Sequence, residues 1–398
     1  MDLMEYAQVK DMKLSRLGMG NMRLPTTAER GPIDYDKAAE IVHYAYENGV
    51  NYYDTAYRYH QGESEPFIGK AMKGFPRSSW YLASKMPGHM MSYQDGKIVG
   101  IGYLAGFELG SVEWIFEKQL ENCQVDYFDF YLLHNLSEGS YDFYTNEEVG
   151  LFEYLVKQKA AGRIRHLGIS SHGRADTIEN FLKWAGGQVD IAQIQLNYLD
   201  WALQDAKAKY EVLTRYGVPV VAMEPVRGGR LATLPDDAAA LLKAARPGDT
   251  PAAWALRFLQ GLPGMLVILS GMTTLEQAAE NVELLSKYDP VSEEEKAILE
   301  QVVQSMITMV PCTACRYCYE SCPQKLDIAK LISLYNEAAH DGKSYTITTL
   351  LQTMGEGELP SACVSCGECM KHCPQGIEIP DVLKKFADLL AAPPAKPA

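Results

Sequence analysis

Two copies of one cysteine pattern, C-x2-C-x2-C-x3-C-P, occupy the last quarter of the chain, at Cys312, Cys315, Cys318, Cys322-Pro323 and at Cys363, Cys366, Cys369, Cys373-Pro374. They use eight of its nine cysteines. The pattern constrains folding directly, because its short loops bring three thiolates to one centre while the fourth reaches away to another. Neither run is complete without its partner. Four thiolates at this spacing are what a cubic 4Fe-4S cluster requires, so the chain is read as an electron-transfer protein holding two such clusters.

Crossing the fourth ligands, as two-cluster ferredoxins do, gives Cys312, Cys315, Cys318 and Cys373 to one cluster. It gives Cys363, Cys366, Cys369 and Cys322 to the other. Zinc also takes sets of four cysteines, but zinc ribbons lack the third close cysteine and the C-P ending. A disulfide framework fails on compartment. The opening MDLMEYAQVK has no basic region followed by an apolar run, so a cytoplasmic setting with reduced thiols is expected. Cys123, in QLENCQVDYF, reads as a buried small hydrophobe. Residues 299–390 are thus expected to form a small ferredoxin-like domain with two 4Fe-4S clusters, and 391–398, ending in AAPPAKPA, a disordered tail.

The 398-residue chain is 47% apolar, enough to bury a full core in one large domain beside the small one. A net charge of −14 argues against nucleic acid or an anionic membrane surface as partner. No apolar stretch is long enough to span a bilayer.

Residues 1–298 alternate short apolar runs with amphipathic helical stretches from residue 12 to about 288, the pattern of parallel α/β architecture. Strands are expected at Arg16 to Gly20, Tyr52 to Asp54, Trp80 to Lys85, Tyr127 to Leu133, Arg165 to Ser170, Ile191 to Asn197, Pro219 to Met223 and Met265 to Leu269. Helical stretches such as DKAAEIVHYAYENG and SVEWIFEKQLENC lie between them. Eight units in about 250 residues, with no G-x-G-x-x-G turn, favour a TIM (β/α)8 barrel over a doubly wound sheet.

Barrel chemistry sits at the C-terminal ends of the strands. Asp54, Lys85, His134, Ser170, Ser171, Gln193 and Glu224 all fall there. Singly each reads as a rim charge or a satisfied core group; together they converge on one mouth. The segments Y53-D-T-A-Y-R-Y59, L82-A-S-K85 and D129-F-Y-L-L-H134 resemble the active-site signatures of aldo-keto reductases. LSRLGMGNMRLP, VVAMEPVRGG and AAENVELL extend the resemblance over roughly residues 12 to 288. It implies a catalytic tetrad of Asp54, Tyr59, Lys85 and His134, in a subgroup carrying a ferredoxin-type domain. Tyr59 would be the general acid, its phenol lowered by the Lys85 ammonium, with Asp54 holding Lys85 and His134 orienting a small carbonyl or alcohol substrate. Tyr57 is the rival acid. A Lys85 Schiff base, the other barrel chemistry, fits the four residues less well.

The resemblance also implies nucleotide contacts at Ser170, Gln193, Glu280 and Asn281, which keep the family's pattern, and at Ser171, Met223, Gly271 and Gln277, which depart from it. Arg227 and Gly228 of PVRGGR stand where barrels habitually seat a phosphate, and read equally as an ordinary glycine-rich turn. Gly271 (with Met272) and Gln277 stand where NADPH binders of the family place Lys-Ser and Arg. NAD(P)H is therefore expected without strong selection for its 2'-phosphate. A flavin stays open as the converter between two-electron and one-electron steps. Residues 86 to 112 form a long connection after the third strand, read equally as a lid or a surface insertion. Two functions follow: an iron-sulfur carbonyl reductase, with a redox protein as electron partner, or a non-catalytic electron-transfer or sensing protein using the barrel as scaffold.

Overall fold

The computed structural model describes residues 4–392 apart from 10, 11, 30, 108, 308, 313, 314, 343 and 374. Pro374 of the second run and 393–398 of the expected tail lie outside the described residues. Residue 391 ends the helix Ile379–Ala391. The chain divides into two compact units, the first of residues 1–198 and 205–299, the second of 199–204 and 300–398.

The first unit is a closed barrel of eight parallel strands. After an N-terminal hairpin, β1 Tyr6–Val9 and β2 Met12–Ser15, the barrel strands are β3 Leu17–Gly20, β4 Tyr52–Asp54, β5 Tyr81–Met86, β8 Phe128–Leu136, β9 Ile164–Ser171, β10 Ile191–Gln195, β11 Val220–Met223 and β12 Met265–Ser270. The antiparallel pair β6 Met91–Gln94 and β7 Lys97–Gly100 stands outside it. Every residue of β4, β10 and β12 is buried, as expected when helices cover the outer face and side chains fill the interior. Ala7, Met12 and Leu14 of the hairpin join Tyr52, Phe130, Ile191 and Val267 in one apolar cluster. The hairpin thereby closes the end of the barrel where the strands begin.

Local signals set the helices that space the strands. In Tyr35–Glu47, Asp34 caps the start by accepting from the Lys37 N–H, and Ala38, Ile41, Val42 and Ala45 form the buried stripe. Ser111 caps Val112–Cys123 in the same way. That helix ends on buried Cys123, whose carbonyl lies 2.5 Å from where a Cβ on Gly69 would stand. Cys123 is thus a packing residue, its thiol pushed well up by burial.

In the second unit the helices Ile328–Asp341, Tyr345–Gln352 and Ile379–Ala391 share a core of Leu331, Ile332, Ile347, Val382, Leu383 and Phe386. Cys318, Cys322 and Cys369 are buried in the same core. So small a unit gains much of its stability from whatever its thiolates bind. Among the described residues no helix is long and apolar enough to cross a membrane.

Candidate active site and cysteine-lined cavities

Three strands deliver the expected tetrad to one place. Lys85, wholly buried near the end of β5, donates to Asp54 Oδ1 at 2.5 Å, to the Thr55 carbonyl at 2.8 Å and to the Tyr59 hydroxyl at 3.3 Å. An ammonium has three protons, and all three are committed. Because the Tyr59 oxygen accepts from Lys85, its own proton is left for another acceptor. The His134 ring, on β8, stands edge-on to Tyr59 at 5.8 Å between centroids. Lys85 is drawn to Tyr59 and not to Tyr57, which is half-buried with Glu65 as its main charged neighbour.

The electrostatics differ from expectation in one respect. Burial raises the Tyr59 phenol more than Lys85 lowers it, so its pKa lies above 10.0. Burial likewise pushes the Asp54 carboxyl up against the pull of Lys85. Lys85 itself is held charged, its partners Asp54 and Tyr59 outweighing its own burial.

Behind the tetrad lies a polar layer that the sequence did not reveal. Buried Glu65 accepts from Ser84 Oγ at 2.7 Å, Gln119 Nε2 at 2.6 Å and Asn122 Nδ2 at 3.2 Å. Gln119 also donates to the Lys85 carbonyl at 3.1 Å and accepts from the Tyr131 hydroxyl at 2.5 Å. This layer pins the β5 backbone from which Lys85 projects.

The long connection after β5 is the β6–β7 hairpin, turned at Asp95-Gly96 with both φ positive, between the one-turn helices Gly88–Met90 and Gly102–Leu104. It meets the site twice. His89 stacks edge-on to His134 at 4.5 Å, and Phe107 lies 5.0 Å from the Arg58 guanidinium beside Tyr59. Burial holds His89 and His172 down to about 4 and His134 well below its ordinary value. The mouth is therefore lined by neutral imidazoles at neutral pH.

The residues expected to hold a nucleotide fall into two groups. Several are occupied within the protein. Ser170 Oγ accepts from the Asn135 N–H, Ser171 Oγ donates to the Leu136 carbonyl, Gln277 accepts from the Thr273 N–H, Glu280 accepts from Thr250, and Asn281 donates to Ser270. Gln193 is different: among the described residues its Nε2 reaches only the Met223 sulfur at 3.7 Å, and its buried Oε1 has no partner. A carboxamide N–H arriving at the mouth would fit it. Arg227, Gly228 and Gly229, in the loop after β11, are consecutive residues with positive φ. Arg23, from the loop after β3, is a cation the resemblance overlooked. Its Nη2 lies 3.0 Å from where a Cβ on Gly228 would stand and its Cβ 3.1 Å from that of Gly271, while the Arg23 carbonyl accepts from Thr273 Oγ1 at 2.8 Å. Side chains at either glycine would crowd it. The clue was in the sequence, as GNMRLP, but on a different strand from the family's cations.

In the second unit, Cys312, Cys315, Cys318 and Cys373 line one small cavity, with Ile332 and Ile379. Cys322, Cys363, Cys366 and Cys369 line another, with Leu326 and Leu383. Each cavity draws three cysteines from one run and one from the other. Among the described residues no three His, Cys, Asp or Glu side chains converge as the ligands of a single ion would. Sulfurs spread around an apolar cavity fit a cluster, each thiolate binding a different corner.

A parallel barrel with this polar mouth and a unit of paired cysteine runs define an iron-sulfur oxidoreductase. The family model for the aldo/keto reductase family matches residues 16–304, and the chain belongs to that family; the model for a 4Fe-4S dicluster domain matches residues 311–378. An uncharacterized oxidoreductase of Bacillus subtilis, YqkF, is 26% identical over 74% of this chain and 95% of that protein. An NADH-specific methylglyoxal reductase of Escherichia coli is 27% identical over 69% of this chain and 91% of its own length. Among solved structures, the holo form of aldo-keto reductase AKR11C1 from Bacillus halodurans superposes with a TM-score of 0.59 at 29% identity, covering 75% of this chain and 96% of that one.

Proposed function

We propose that the barrel reduces a small aldehyde or ketone, with a nicotinamide as hydride source and Tyr59 as proton donor, and that the second unit carries two 4Fe-4S clusters passing electrons singly to or from a redox protein. The observation that carries the reading is the Lys85 ammonium, whose three bonds leave the Tyr59 proton as the one aimed at a substrate. His134 would hold the carbonyl oxygen beside that proton, and its neutral ring suits hydrogen bonding without a competing charge. Gln193 would hold the carboxamide, and the Arg23, Gly228 and Gly271 group the phosphates. When bound, the nicotinamide supplies hydride to the carbonyl carbon. The scaffold reading loses weight because a scaffold has no use for a buried lysine with all its protons engaged. A panel of small carbonyls, with methylglyoxal first because the Escherichia coli relative is named for it, tests the reading by NADH and NADPH oxidation. Consumption of none of them under any condition would overturn it.

Nucleotide selection follows from the same residues. Gly271 offers no cation and Gln277 folds back on Thr273. Charged hydrogen bonds to a phosphate are each worth roughly 1.5 to 3 kcal/mol, so NADH should bind at least as tightly as NADPH to within about tenfold. Dissociation constants by fluorescence at one ionic strength check this. A strong NADPH preference that vanishes in Arg23→Ala would mean that the first loop grips the 2'-phosphate.

For the clusters, anaerobically purified protein should hold about eight iron atoms per chain. Cys373→Ser should damage the cluster of Cys312, Cys315 and Cys318, and leave the one drawn mainly from its own run. Electron paramagnetic resonance of the reduced variant distinguishes the two, and loss confined to the second run's cluster would reverse the crossed assignment.

A further inference from the structure

We propose that His60 is a positioning residue for Tyr59, its neutral imidazole latching the loop that carries the acid onto the loop after β3. This rests on Tyr59 being the proton donor. Tyr59 is followed by three residues in left-handed backbone, His60 at φ 50°, Gln61 at φ 59° and Gly62 at φ 100°. Only the glycine adopts that conformation without strain, so something outside the loop must hold the other two. The His60 ring does so. Its Nε2 accepts from the Leu24 N–H at 3.2 Å. An imidazole that accepts at Nε2 carries its proton on Nδ1, so the latch exists in one tautomer of the neutral ring.

The segment it grips is itself fixed. Asn21 donates twice to the Asp54 carbonyl, from its N–H and from Nδ2, both at 2.9 Å. Ser64 Oγ, just beyond the strained turn, donates to the Asn21 carbonyl at 3.1 Å and pairs with Thr55 Oγ1 at 2.8 Å. Two ends of the Tyr59 loop are thus tied to residues 21–24, and His60 is the tie nearest the phenol. The same segment carries Arg23 across Gly228 and Gly271. Movement in either loop is felt in the other, which joins the position of the acid to that of the phosphate-binding residues.

Protonation would put a hydrogen on Nε2 facing the Leu24 N–H and break the latch. From the Met22 to Leu24 side the Met22 backbone faces the ring and favours its charged form. From its own loop Glu63 faces it and favours the charged form, but Glu63 is also engaged with the Ile33 N–H at 2.9 Å. Burial prevails and the ring titrates below 6.5. A depressed histidine pKa means that the latch is intact above 6.5 and is lost as pH falls through the lower value.

The test compares the full-length parent with His60→Gln and His60→Ala, using the best carbonyl of the panel and saturating nucleotide. In His60→Gln the side-chain amide oxygen would accept from the Leu24 N–H at every pH. His60→Ala should lose about tenfold to a hundredfold in kcat at neutral pH with KM changed less than about threefold, since the acid is displaced and the substrate contacts are not. His60→Gln should recover most of that loss and lack the parent's decline below pH 6.5. Nitrogen-15 spectra of histidine-labelled protein, with His60 assigned by its absence from His60→Gln, should show a bare Nε2 at pH 7. A protonated Nε2 at pH 7 overturns the latch whatever the activity, as does a His60→Gln profile that keeps the parent's acid limb. A parent that turns over no carbonyl strikes the proposed reaction, while the spectra still decide the latch.

Discussion

Tyr59→Phe should lower kcat for carbonyl reduction by roughly a hundred- to ten-thousandfold, the usual worth of a positioned general acid, with little change in the dissociation constant of NADH. The substitution removes one oxygen, and that oxygen accepts from Lys85 at 3.3 Å, which leaves its proton for another acceptor. Nothing else in the loop depends on it, because the strained turn is held through His60 and Ser64. The ring itself remains to pack against His134 and under the Lys85 ammonium. Tyr57→Phe should cost far less, its hydroxyl being remote from Lys85 in the hydrogen-bond pattern. The pH profile adds a second check. Burial holds the Tyr59 phenol above 10.0, so it stays protonated across the neutral and mildly alkaline range. His89 and His172 titrate near 4 and contribute no limb between pH 5 and 8. The parent should therefore show a plateau from about pH 6.5 to near pH 10, and an alkaline fall in the range 7 to 8 would contradict Tyr59 as the acid. Equal kcat for Tyr59→Phe and the parent would remove the tetrad reading altogether.

The barrel was legible because its strands are apolar runs punctuated by helix caps, signals that do not depend on tertiary context. The span Tyr52–Asp54 is the one expected, and the other seven strands begin or end within a few residues of expectation. The largest departure, β8 running to Leu136 instead of Leu133, comes from an irregularity in its pairing with β9 and a positive φ at Asn135. Apolar periodicity carries no record of such a bulge. The hairpin Tyr6–Val9 and Met12–Ser15 escaped notice because two four-residue strands with mixed polarity look like an irregular leader. Site residues divide by how they reach the mouth. Asp54, Lys85 and His134 sit at or near strand ends and could be read from position alone. His89 comes from the middle of a long connection, Arg23 from a loop on another strand, and Glu65 from the helix Ser64–Ala71, behind the strand ends. Convergence of that kind is a property of the closed barrel, and no single segment contains it. The cysteines are the opposite case: the spacing of the two runs suggests both the three that belong together and the crossed fourth, and the two cavities are lined by those same groups.

Lys85→Met should both abolish turnover and destabilise the barrel, and the two effects can be separated. Lys85 and Asp54 are a fully buried pair at 2.5 Å, and among the described residues Asp54 Oδ2 has no partner of its own. Removing the ammonium leaves a carboxylate in an apolar interior with its paired cation gone, which costs about 3 to 5 kcal/mol. Some of this is recovered by taking up a proton, the direction in which burial already pushes Asp54. Replacing both members, in Asp54→Leu/Lys85→Met, removes the stranded charge as well, and exchange of a buried ion pair for apolar side chains of similar volume is often neutral or stabilising by about 1 to 4 kcal/mol. Urea unfolding followed by tryptophan fluorescence should therefore rank the double variant at or above the parent and well above Lys85→Met. Catalysis should not follow that ranking. Both variants lack the cation that orients the Tyr59 proton, so each should fall by at least roughly a hundredfold in kcat. A double variant as unstable as Lys85→Met would mean that the pair holds the fold through contacts beyond its own charges. One that regained turnover with its stability would mean that Lys85 serves the barrel and not the reaction, leaving Tyr59 and His134 to polarise the carbonyl unaided.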